Sequence, residues 1–96
     1  RRIVEDFFRT RLAPNKIYPM EGAFVGFIEW RGLKLKGEEL HSFLEKEAMA
    51  VLEPGDHYAP EYAGYSRINL GSTHEQTRAL LERIEAAIAR RPEIRV

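Results

Sequence analysis

Apolar residues recur along the chain at two spacings, and these divide it into elements. In 1–13, Ile3, Val4, Phe7, Phe8 and Leu12 stand three and four apart, which predicts a helix with one face turned to a core. Pro14-Asn15 ends it. Residues 23–30 read Ala-Phe-Val-Gly-Phe-Ile-Glu-Trp, rich in aromatic and β-branched side chains, and predict a strand. Residues 16–18 predict a shorter strand before it, with Met20-Glu21-Gly22 as the turn. Residues 31–36 read as a loop anchored by Leu33 and Leu35. In 37–49, Leu40, Phe43, Leu44 and Ala48 form one stripe of a second helix. A short strand over 50–53 is closed by Pro54-Gly55, a polar and aromatic loop covers 56–64, and 65–71 is a second clear strand. Thr73 with Gln76 three residues later has the form of a capping box. The helix it opens, over 73–90, aligns Leu80, Leu81, Ile84, Ala87 and Ile88, while 91–96 carry no clear pattern.

This order of helices and strands predicts an α+β fold of two layers, with a small antiparallel or mixed sheet of three to four strands and helices on one face. The helical stripes are expected to face a sheet carrying Phe24, Phe27, Ile28, Ile68 and Leu70. Ninety-six residues make a single domain, 1–96.

Composition removes whole classes of function. Fifteen Lys+Arg balance fifteen Asp+Glu, so there is no polybasic field for nucleic acid or an anionic membrane, and neither is expected as a partner. No apolar run approaches the roughly 20 residues of a spanning helix. The absence of Cys removes disulfides, cysteine zinc sites and thiol catalysis, and fits a cytoplasmic location. The chain starts Arg1-Arg2 rather than Met, and its methionines, Met20 and Met49, are internal. A piece of a longer chain is therefore expected.

Few residues are placed for chemistry. His41, His57 and His74 are not paired at metal-ligand spacing, and no metal is expected. Glu38-Glu39 and Glu45/Glu47 sit one or two apart on a helix and do not face each other. There is no phosphate-cradling glycine motif, and Ser42, Ser66 and Ser72 lack a nucleophile-elbow context. Arg67 differs, because it stands inside a strand reached from an aromatic loop. One reading is an ordinary exposed or salt-bridged arginine. The other is a planar fork gripping a ligand carboxylate with two parallel hydrogen bonds.

Three segments in register resemble a known family. Gly22-Ala23-Phe24-Val25-Gly26-Phe27-Ile28-Glu29-Trp30-Arg31 resembles the small-domain strand of the fold-type I pyridoxal-phosphate (PLP) enzymes of the class I/II aminotransferase superfamily. Val51-Leu52-Glu53-Pro54-Gly55, followed by Tyr58, resembles their apolar, Pro-Gly, x-x, Phe-Gly segment. Arg67-Ile68-Asn69-Leu70-Gly71 resembles their Arg-x-Asn segment. Ala79-Leu80 and Arg83-Ile84 resemble the pattern of the C-terminal helix. Glu29-Trp30-Arg31 is similar to the acid-x-Arg of the cystathionine β-lyase-like C–S lyases. Ala23 stands where the family has Thr, Ala59 where it has Gly, and Ser72-Thr73-His74 where that branch has Cys-Pro-Arg.

The resemblance implies a C-terminal small domain of a longer PLP-dependent enzyme of amino-acid metabolism, either an aminotransferase or a C–S β-lyase. It implies that Arg67 binds the substrate carboxylate, with Tyr58 and His57 lining the pocket. PLP and its lysine would belong to the large domain of the same chain, since Lys16, Lys34, Lys36 and Lys46 do not stand where that lysine would. The isolated chain is then expected to be inactive, and the whole enzyme to be a homodimer. The alternative is a stand-alone α+β module that binds an amino acid or mediates dimerisation without catalysis.

Overall fold

A computed structural model describes residues 2–20 and 24–96. The expected turn at Glu21-Gly22 and the strand start at Ala23 lie outside the described residues, as does Arg1.

Three helices cover one face of a four-stranded antiparallel sheet. Helix α1 is Arg2–Arg11, α2 is Gly37–Glu47 and α3 is His74–Ala89. Strands β1 (Lys16–Pro19), β2 (Val25–Glu29), β3 (Glu53–Pro54) and β4 (Tyr65–Asn69) lie in the order β1-β2-β4-β3. The expected α+β class is observed. The expected strand over 50–53 shrinks to the two residues of β3, and Val51 is exposed. The loop over 56–64 contains two short 3-10 turns, Gly55–His57 and Pro60–Tyr62. The tail that lacked a pattern forms a third turn at Pro92–Ile94, where Ile94 is buried and Arg95 bridges to Leu33.

The core lies between helices and sheet. Val4, Phe7 and Phe8 of α1 meet Leu40, Phe43 and Leu44 of α2 and Leu81, Ile84, Ala87 and Ile88 of α3. The sheet contributes Ile17, Ile28 and Ile68. Two of the expected sheet residues go elsewhere. Phe27 lies on the far face, because side chains alternate along a strand and Gly26 and Ile28 take the core side. Phe24 precedes the strand and is 77% exposed. Trp30, just past β2, enters the core in their place.

The helices are tied down by named bonds. Thr73 caps α3 with the anticipated capping box, its hydroxyl accepting from Gln76 N–H at 3.1 Å. Arg83 of α3 and Arg90, which caps its end, donate to the carbonyls that end α2, Ala48 at 3.2 Å and Glu47 at 2.9 Å, where the helix leaves acceptors without internal partners. Among the described residues, no helix is long and apolar enough to cross a membrane.

Candidate active-site face

The second face of the sheet carries the functional candidates. In β4, Ser66 and Ile68 point to the core, so Tyr65, Arg67 and Asn69 point away from it. Register then builds a row across all four strands. Tyr18 is opposite Phe27, Phe27 opposite Arg67, and Arg67 opposite Glu53. One step along, Lys16, Glu29 and Tyr65 form a second row.

Arg67 is held from one side only. Its Nη1 donates to the Tyr58 hydroxyl at 2.9 Å and to Glu53 Oε1 at 3.1 Å, and the Tyr58 hydroxyl donates to the same carboxylate oxygen at 2.7 Å. Among the described residues, Nη2 and Nε of Arg67 make no hydrogen bond. The side chain stays 44% exposed and Glu53 43% exposed, so this pair is a solvated surface bridge. The Tyr58 hydroxyl, and after it the charge of Glu53, raise the Arg67 pKa further above its already high value. The guanidinium remains a permanent cation with open donors.

Tyr58 reaches Arg67 because Gly55 lets the loop sit against β4. A Cβ on Gly55 would stand 2.3 Å from the Tyr62 carbonyl oxygen and 2.8 Å from Tyr65 Cβ, a separation that real atoms do not adopt.

A matching trio stands at the other end of the face. Arg31 Nη2 donates to Glu29 Oε1 at 2.6 Å, and the Tyr18 hydroxyl donates to the same oxygen at 2.9 Å. Arg31, then Tyr18, hold the Glu29 carboxyl below the usual carboxylate range. The same carboxylate pushes the Tyr18 phenol up, and burial does so for Tyr65, so both stay protonated at neutral pH. Between the two trios lies a cleft of about 470 Å³ lined by Tyr18, Phe27, Tyr58, Tyr62 and Tyr65.

The structure brings Arg67 and Tyr58 together, but it places His57 along a different groove, with His41, Ser42 and Lys46. His41 contributes from the core side. Its Nδ1 is 3.0 Å from the Gly37 carbonyl, which accepts only, so that nitrogen carries the proton; Nε2 then accepts from Ser66 Oγ at 2.7 Å. Ser66 in turn accepts from Trp30 Nε1 at 2.9 Å. This buried chain fixes the phase of β4 and so the side on which Arg67 emerges. Glu53, Phe27, Tyr18, Tyr62 and Tyr65 were not anticipated at the site. Strand alternation would have put Tyr65 with Arg67, but the register joining Phe27 and Glu53 to it is not written in local sequence.

All four lysines are exposed, and none lines the aromatic cleft, although the Lys16 ammonium stands 5.3 Å from the ring of Tyr18, which does. Among the described residues, no group of three acidic, His or Cys side chains is placed to hold a metal.

Comparison with known proteins decides the fold. Cystalysin from Treponema denticola, a structure containing a PLP cofactor, superposes with a TM-score of 0.87 at 28% identity, over 93% of this chain and 23% of that one. The chain has the small-domain fold of the fold-type I PLP enzymes. The cystathionine beta-lyase PatB of Bacillus subtilis is 28% identical over 85 residues, 88% of this chain and 22% of the relative. The aromatic aminotransferase of Pyrococcus horikoshii shares the fold at a TM-score of 0.80 and 24% identity, over 95% of this chain and 24% of that one. No family model matches the sequence. The chain thus spans less than a quarter of the length of these relatives.

Proposed function

We propose that this chain is the small domain of a PLP-dependent enzyme acting on amino acids, a C–S β-lyase or an aminotransferase, and that it supplies the grip on the substrate carboxylate. The observation that carries this is Arg67. It projects from the free face of the sheet, is steadied at Nη1 by Tyr58 and Glu53, and keeps Nη2 and Nε open along one edge. That edge offers two parallel donors, the geometry a carboxylate accepts. Bound PLP supplies an electron sink for the charge that develops at Cα. This chain's part is to fix the substrate by its carboxylate, so that the bond to be broken is held in one orientation. The lysine and phosphate contacts for PLP lie in a larger partner domain of the same polypeptide, and the whole enzyme is a homodimer.

The test is Arg67→Lys in the enzyme that contains this domain. Leaving a ligand carboxylate poorly paired in a closed site costs about 2–5 kcal/mol, or roughly a 30- to 4000-fold loss in kcat/KM for amino-acid substrates. Lysine falls short of a rescue because an ammonium does not reproduce two parallel bonds. Unchanged kcat/KM with a large loss of stability would make Arg67 structural and remove the proposal.

A further inference from the structure

The cleft beside Arg67 says what kind of molecule that arginine holds. Five aromatic rings line it, and its volume of about 470 Å³ falls in the size range of small-ligand sites, roughly 300–1,000 Å³. Its walls are set by packing. Phe27 meets Tyr58 edge to face at 5.7 Å, and Tyr62 meets Tyr65 edge to face at 5.3 Å. Tyr58 belongs to both halves of the site, with its ring in the cleft and its hydroxyl on Arg67. Phe27 is the cross-strand partner of Arg67, so the cleft begins one side chain from the open guanidinium edge.

We propose that this cleft takes the side chain of a large apolar, aromatic acid whose carboxylate rests on the open edge of Arg67; this rests on the carboxylate-gripping reading above. Charge selects among the molecules an aromatic cleft accepts. A quaternary ammonium also suits such rings, yet the two carboxylates at the ends of this face, Glu29 and Glu53, are already engaged by Arg31 and Arg67. Both of these carboxylates already have a cation, the Lys16 ammonium already lies 5.3 Å from the Tyr18 ring, and Arg67 has donors to spare. An uncharged ring attached to a carboxylate satisfies both halves.

Four probes separate the contributions in a heteronuclear NMR titration of the 96-residue chain: 3-phenylpropionate, propionate, 3-phenylpropan-1-ol and 4-(trimethylammonio)butyrate. The expected result is saturable 3-phenylpropionate binding, read at Phe27, Tyr58 and Tyr62, about tenfold tighter than propionate, the order one added aromatic contact supplies. Arg67→Met should bring 3-phenylpropionate down to the level of the alcohol. Phe27→Ala should bring it down to the level of propionate, and Tyr62→Ala, at a more exposed ring, gives the same reading if Phe27→Ala does not fold. Equal binding of propionate and 3-phenylpropionate, both lost in Arg67→Met, would overturn the aromatic assignment and leave the carboxylate grip standing. Equal binding of the acid and the alcohol would overturn both. Tightest binding of the quaternary ammonium, or no saturation by 3-phenylpropionate, also overturns the proposal.

Discussion

Ser66 and Arg67 are neighbours in β4 and face opposite sides of the sheet, so they answer different questions. Ser66 is fully buried between Trp30 and His41. Ser66→Ala removes the acceptor of the indole N–H and the donor to the imidazole, and a buried polar group left unpaired costs about 1–3 kcal/mol. Urea denaturation should show that loss. Arg67→Lys in the same chain should move stability by no more than about 0.5 kcal/mol, since its partner Glu53 is a solvated surface neighbour. A large destabilisation at Arg67, or none at Ser66, would reverse the roles given to them. The sequence showed that Arg67 sits in a strand beside an aromatic loop. It did not show Glu53 as partner, because that contact depends on a pairing between residues fourteen apart.

Among elements, α3 makes the clearest test of how the layers meet. Ile84 is fully buried on its stripe, and Ile84→Ala should cost about 2–5 kcal/mol, measured by thermal or urea unfolding. Thr73→Ala, which loses the capping box at the same helix, should cost about 0.5–2 kcal/mol. If Ile84→Ala behaves like a surface change, the helix face is misassigned. Periodicity made these helices legible because a stripe of Leu, Ile and Phe has one physical reading, a buried face. The strands were legible in place but not in orientation. A run as apolar as 23–30 does not say which alternate set is buried; Gly26 and Ile28 take the core, which sends Phe27 to the opposite face. With Phe27 read as core the cleft stays invisible in the sequence, since Tyr58, Tyr62 and Tyr65 gather with Phe27 on the face opposite the helices.

At the scale of the whole chain, a buried core on one side of the sheet coexists with an open, polar and aromatic face on the other. Among the described residues, nineteen buried apolar residues form one cluster between helices and sheet. The chain's stability should fall with acid. Glu29 and Glu93 have their pKa values lowered, chiefly by Arg31 and Arg91 respectively, so each contributes stability above the ordinary value of 4.5 and loses it as pH falls through the lower folded value. Arg31→Met should flatten part of that acid limb in urea midpoints taken on either side of pH 4.5; an unchanged limb would mean that Glu29 carries none of it.

The open face leads to a last expectation about cofactor. The proposal divides the enzyme's work, with the carboxylate grip on this chain and PLP elsewhere. The four lysines are exposed, and an exposed ammonium is a strongly hydrated point charge on a flexible stem. Among the described residues that line the aromatic cleft none is a cation, and Arg31 and Arg67 stand at opposite ends of the face rather than converging on one anion. The purified 96-residue chain mixed with PLP, dialysed and treated with borohydride should therefore carry no stoichiometric cofactor, as read by intact mass and by absorbance. On the proposed division, joining the chain to the proposed larger domain should give retention without any change in these residues. One PLP per chain, reduced onto a single one of Lys16, Lys34, Lys36 or Lys46, would place the cofactor on this domain and end the division of labour proposed for it.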